Sequence, residues 1–159
     1  MKIHLRFIKN SGFISRAIGW ETWGAGGSWS HVEFKLHDAY MGSQAPDGVQ
    51  IRPLNYCDTT SEFHCSVSVT GDQYRKVMYF LFQQKGKPYD YKSILGFLIK
   101  RDWRATDSWF CSELVAAAFE HAGIPLLRTE ECNRVSPSTL SLSPLLVREE
   151  SNDCLYCET

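Results

Sequence analysis

The spacing of apolar residues changes near residue 70, from every second position to helical spacing, and this change confines the chain to a fold of one sheet and several helices. Before it, residues 2–9 alternate with Ile3, Leu5 and Phe7 on one face, and further strand patterns follow over 30–36, 39–44, 48–53 and 63–69. They read as five short strands, the second and third joined by a turn at His37-Asp38. Beyond the change, 72–84 gathers Val77, Tyr79, Phe80, Leu81 and Phe82 into a thick apolar stripe that Gly86-Lys87-Pro88 ends. The run 108–123 puts Cys111, Leu114, Val115, Ala118 and Phe119 on one face, with Ser108 suited to cap its start and Gly123 to stop it. Two shorter helical runs are expected. One carries Phe13, Ile14, Ala17 and Ile18, with Trp20 and Trp23 near its end, and closes at Gly24-Ala25-Gly26-Gly27-Ser28; the other covers 92–99. The prediction is an α+β fold, a small antiparallel sheet packed against helices, with one domain over residues 1–148 and a flexible tail over 149–159.

Charge and hydropathy narrow the function. The formal net charge is −1 and the basic residues form no long block, so no nucleic acid partner is expected. The amino terminus alternates where a secretory signal would be continuously apolar, and no later stretch reaches spanning length. A cytoplasmic chain without stable membrane insertion is expected. The six cysteines are Cys57, Cys65, Cys111, Cys132, Cys154 and Cys157. Without a secretory signal they read as thiols rather than a disulfide framework. Cys154 and Cys157 form a lone CxxC with no second pair, and Cys57, His64 and Cys65 lack the usual tetrahedral ligand spacing, so no metal or cofactor is expected.

Cys111 carries the most chemical information. It falls in the first turn of a long amphipathic helix, where unpaired backbone N–H groups and the helix dipole stabilise a thiolate. Its place on the apolar stripe fits core packing as well. A nucleophilic reading requires a cationic neighbour, and His31, at the start of a strand after the glycine-rich turn, can supply one. His4, His37, His64 and His121 are its rivals.

The segments Trp29-Ser30-His31-Val32-Glu33-Phe34, Gly48-Val49-Gln50-Ile51, Gly86-Lys87-Pro88-Tyr89-Asp90 and above all Phe110-Cys111-Ser112-Glu113-Leu114-Val115 resemble the circularly permuted NlpC/P60 papain-like hydrolases. That superfamily includes YiiX-like proteins and lecithin:retinol acyltransferase-like enzymes. The order of the motifs is similar too, with the histidine strand ahead of the cysteine helix, and the likeness spans roughly residues 20–140. Within that span, Ser136-Pro137 and Leu140 resemble a recurring Ser-Pro-x-x-Leu segment.

The resemblance implies a papain-like fold and a cysteine hydrolase that cleaves an amide, peptide or ester bond, with Cys111 as nucleophile and His31 as general base. Its substrates would be peptides, peptidoglycan fragments or lipid-derived acyl groups. Such enzymes carry a third polar residue that orients the imidazole. If His37-Asp38 is a two-residue turn, paired positions sum to 75 and Gln44 lies opposite His31; a shift by one offers Ser43 or Ala45. Glu33 shares the face of His31 but lies about 6 to 7 Å along the strand, and reads as an exposed carboxylate. Related chains have a carboxylate near positions 43 and 44 and this one has none, which leaves open a weaker orienter or a catalytically silent binding module. The backbone N–H of Cys111 suits an oxyanion hole. Tyr89 resembles a residue lining the substrate cleft, and Trp29 and Trp109, with Trp20, Trp23 and Trp103, can wall it or pack in the core. Hydrolysis, acyl transfer and silent binding are the functions carried forward.

Overall fold

The computed structural model describes residues 1–9, 29–91, 107–128 and 135–149. The expected helical runs at 13–18 and 92–99, Trp20, Trp23 and Trp103, and Cys132, Cys154 and Cys157 lie outside them. Five strands appear where the apolar period places them: β1 (Lys2–Lys9), β2 (His31–Lys35), β3 (Ala39–Gln44), β4 (Gly48–Pro53) and β5 (Ser61–Ser68). Helices α1 (Gly71–Gln83), α2 (Cys111–His121) and α3 (Pro137–Leu140) follow, then a two-residue strand β6 (Val147–Arg148). All neighbours in the sheet are antiparallel, in the order β4-β3-β2-β1-β5-β6.

The two faces of the sheet have different chemistry because side chains alternate. Ile3, Leu5 and Phe7 of β1, Val32 and Phe34 of β2, and Met41 of β3 belong to the core with Val77 and Leu81 of α1 and Leu114, Val115, Ala118 and Phe119 of α2. Phe34 stacks on Phe119 at 6.0 Å. Each buried Val, Leu, Ile, Phe or Met side chain here is worth about 1.5–3 kcal/mol of burial, which makes this layer the main stabilising block. The other face presents Arg6 directly opposite Glu33 across the β1/β2 register, with Tyr56 and Cys57 reaching over from the loop after β4. Among the described residues no helix is long and apolar enough to cross a membrane.

Two boundaries differ from expectation. Ser108 does not cap α2, because Trp109 is drawn into an extended bridge with Tyr89: its N–H donates to the Pro88 carbonyl at 3.1 Å and its carbonyl accepts from Asp90 N–H at 3.1 Å. The helix starts only at Cys111, with Phe110 as its N-cap. At the other end, Glu149 is not part of a loose tail. Its N–H donates to the His64 carbonyl at 2.9 Å and its carboxylate pairs with His4 at 2.8 Å.

Candidate active site

Three elements converge on one pair of side chains. Cys111 is the first residue of α2, and this helix start has no side-chain cap, since Phe110 has no oxygen to offer. By contrast α1 has a full capping box from Thr70 and Gln73, and Ser136 caps α3. The amino-terminal N–H groups of α2 are thereby left without the usual side-chain acceptor, next to the sulfur. His31 is the first residue of β2, and the preceding segment is held on both sides: Ser30 donates to the Ile8 carbonyl, and Trp29 N–H donates to Ser138 Oγ of α3 at 2.9 Å. The Ser-Pro-x-x-Leu segment thus pins the chain just ahead of the histidine.

The ring of His31 lies beside Cys111, near enough for the sulfur to act on its charge, and turns Nε2 toward Glu33 Oε2, 3.5 Å away. That distance is long for a hydrogen bond, so Nε2 is a buried donor without a close acceptor and its attraction to Glu33 is one of charge. Burial opposes charging the ring, but the attraction of Cys111, followed by that of Glu33, outweighs it and holds His31 up to about 10. His31 is 9% exposed and Cys111 1%.

Glu33 corrects the sequence reading. It is fully buried, not exposed, and accepts from Arg6 at both Nε (2.8 Å) and Nη2 (2.6 Å) through Oε1 and from the Tyr56 hydroxyl (2.9 Å) through Oε2. Burial would raise its pKa; the attraction of His31 and then the charge of Arg6 prevail and hold it below the ordinary carboxylate range. The expected separation from His31 was a backbone distance. A glutamate side chain leaning along its strand closes it.

Gln44 does not take the orienting place. The hairpin register is the expected one, with Phe34 opposite Met41, Lys35 opposite Tyr40 and Leu36 N–H bonded to the Ala39 carbonyl. Yet the Gln44 amide oxygen is buried without a hydrogen-bond partner, so it does not accept the imidazole N–H. Ser43, the alternative, faces the helices and donates to the Trp109 carbonyl at 2.6 Å.

Of the cleft candidates, Tyr89 lies beside the pair. Burial first and then the charge of Cys111 push its hydroxyl pKa up, and its ring lies 6.0 Å from Phe110. Trp109 is a core residue and does not line a cleft: it is 1% exposed, its Nε1 donates to Gln84 Oε1 at 3.1 Å, and its ring meets the edge of Phe80. Trp29 is half-buried, packed on Phe63 at 4.6 Å with Lys9 Nζ over its ring. The rival histidines are engaged elsewhere, His4 with Glu149, His64 with Glu62 and His121 against Phe80, while His37 is exposed at the hairpin turn. A groove of about 590 Å³ between Phe34, Leu36, Tyr74 and Phe82 contains neither His31 nor Cys111 in its lining.

The zinc set fails on strand geometry. Cys65 belongs to the core, where burial and then the charge of Glu149 push its thiol up to about 12, whereas the adjacent His64 projects to the opposite face. Among the described residues no three His, Cys, Asp or Glu side chains are grouped to hold a metal. Arg6 and Tyr56 were missed by sequence reasoning. The one signal for Arg6 was a charged residue inside an alternating strand, and its meaning depended on which strand paired with it.

No family model and no curated protein matches the chain. Solved structures do. One is the crystal structure of metalloprotein YiiX from Escherichia coli O157:H7, 17% identical, covering 94% of this chain and 96% of that one with a TM-score of 0.68. The chain shares the fold of that protein.

Proposed function

We propose that this protein is a thiol hydrolase that cleaves an amide, peptide or ester bond through an acyl-enzyme on Cys111. The observation that carries the reading is the buried His31 imidazole beside Cys111, at a helix start without a side-chain cap. A cationic neighbour or a helix N-terminus lowers a thiol's pKa, and the position of His31 and the start of α2 beside the sulfur support this reading. The thiolate attacks the substrate carbonyl carbon and the carbonyl π pair moves onto oxygen, where the Cys111 N–H serves as a donor. Collapse breaks the bond to the leaving amine or alcohol, which takes its proton from the His31 imidazolium. Water, deprotonated by His31, then attacks the thioester and releases the acid and the thiolate. An alcohol or amine in place of water makes the same cycle an acyl transfer. Peptides, peptidoglycan fragments and lipid-derived acyl groups are the substrate classes to test.

The solved neighbour is described as a metalloprotein, and a bound cation does not fit here. Both oxygens of Glu33 are engaged, and the Arg6 guanidinium would repel a cation beside them. The burial of Cys111 favours a second reading, a silent binding module, because its sulfur is reached only after the covering side chains give way. Activated acyl esters, such as p-nitrophenyl esters that transfer the acyl group to the sulfur and release p-nitrophenolate, separate the two. A mass increase on Cys111 that decays with release of the acid supports hydrolysis; labelling confined to Cys57 with Cys111 untouched overturns it.

A further inference from the structure

A buried ion pair is a poor device for stabilising a sheet, since a well-packed apolar pair of similar volume does as well or better. Arg6 and Glu33 nevertheless face each other across β1 and β2, 3% and 0% exposed, next to His31. The guanidinium is gripped from every side. Nε and Nη2 meet Glu33 Oε1, Nη1 meets Glu62 Oε2 at 3.3 Å, Nη2 reaches Cys57 Sγ at 3.7 Å, and the Tyr40 ring lies 3.6 Å from the Arg6 carbon Cζ. Such a fork cannot swing away from Glu33, and it leaves Oε2 for Tyr56 and for the imidazole.

We propose that Arg6 is a positioning residue of the Cys111–His31 site: it fixes the Glu33 carboxylate, ionised, against His31 Nε2 and thereby sets the orientation and the charge of the imidazole. The inference rests on the cysteine-hydrolase reading. The titratable and charged groups facing this unit are Arg6 from β1, Tyr40 from β3, Tyr56 and Cys57 from the loop after β4, Glu62 from β5, Cys111 from α2 and, beside Cys111, Tyr89. With the Arg6 charge removed, burial raises the pKa of Glu33 and only the imidazolium still holds the carboxylate ionised, so the charge facing Nε2 is weakened and no longer fixed in place.

The experiment follows alkylation of Cys111 by iodoacetamide, mapped by mass spectrometry, from about pH 5 to about pH 10, together with the NMR titration of the His31 ring. Arg6→Gln is expected to lower the His31 midpoint by about one unit and to shift the pH profile of Cys111 alkylation with it. Arg6→Lys restores part of both, and Glu33→Gln reproduces the Arg6→Gln profile. A purely structural role lowers the melting temperature and leaves both profiles unmoved, which overturns the proposal. Should Arg6→Gln lack a cooperative melt, Arg6→Lys decides: it keeps the charge without the two-point grip, and a midpoint equal to that of the wild type overturns the proposal. If Cys111 of the unaltered protein reacts no faster than Cys57, the cysteine-hydrolase reading falls and this inference with it. If Cys111 is activated and indifferent to Arg6, this inference alone falls.

Discussion

Cys111 and His31 act as one chemical unit in the proposed cycle, so their removal is expected to be non-additive. Cys111→Ala and His31→Ala should each abolish turnover, and the double variant should lose little more than either; circular dichroism and thermal melts check that all three remain folded. The same measurement assigns the third residue. Glu33→Gln removes the charge facing Nε2 and is expected to cost roughly 10³–10⁴-fold in kcat, the scale of an orienting acid in a nucleophilic triad, whereas Gln44→Ala should stay within a few-fold. The opposite ranking would return the orienting role to Gln44. Cys111 was legible in the sequence because a helix start and an apolar stripe are local patterns. Glu33 was not, because period two gives the spacing of backbone atoms and says nothing of how far a flexible side chain leans along its strand.

At the scale of elements, legibility followed sequence distance. The β2/β3 hairpin register came from a two-residue turn and agrees with the pairing of Phe34 with Met41. The placement of β1 between β2 and β5 joins residues far apart in the chain, and no local pattern announces it. Arg6 therefore could not be matched to Glu33 from the sequence. The start of α2 was misjudged for a similar reason, since the bridge between Tyr89 and Trp109 is a long-range contact that keeps Ser108 out of the helix. The same 86–90 segment is locked to β4 by Val49 N–H to the Lys87 carbonyl (2.9 Å) and Gly86 N–H to the Val49 carbonyl (2.8 Å). Gly48 makes this approach possible: it has φ +72°, and a Cβ there would lie 2.0 Å from the Lys87 carbonyl oxygen. Gly86 also has positive φ, at +85°, but a Cβ there meets nothing within 4 Å. Gly86→Ala is expected to cost about 1–2 kcal/mol from backbone strain alone, and Gly48→Ala about 1–3 kcal/mol beyond that from overlap with backbone. Chemical denaturation of the two variants checks the ranking, and equal losses would mean that the segment is free to move away from β4.

Across the whole molecule the site charges tie stability to pH, and the sign differs for the two buried partners. His31 is held above its ordinary 6.5, up to about 10, so its contribution is fully present below 6.5 and is lost as pH rises from there through about 10. Glu33 is held below its ordinary 4.5, so its contribution is present above 4.5 and is lost as pH falls below it through the lowered folded value. The two shares overlap fully only between about 4.5 and 6.5. Cys65, pushed from 9.0 up to about 12, adds to the alkaline loss, because the unfolded chain releases that proton more readily than the buried thiol. Denaturant melts of the wild type and of His31→Gln across this range isolate the histidine share. Their difference in unfolding free energy should be largest between about pH 4.5 and 6.5, shrink as pH rises and vanish above about 10. A difference that stays constant into the alkaline range would mean that His31 is not charged in the folded protein, and the imidazolium on which the proposed chemistry depends would then be absent.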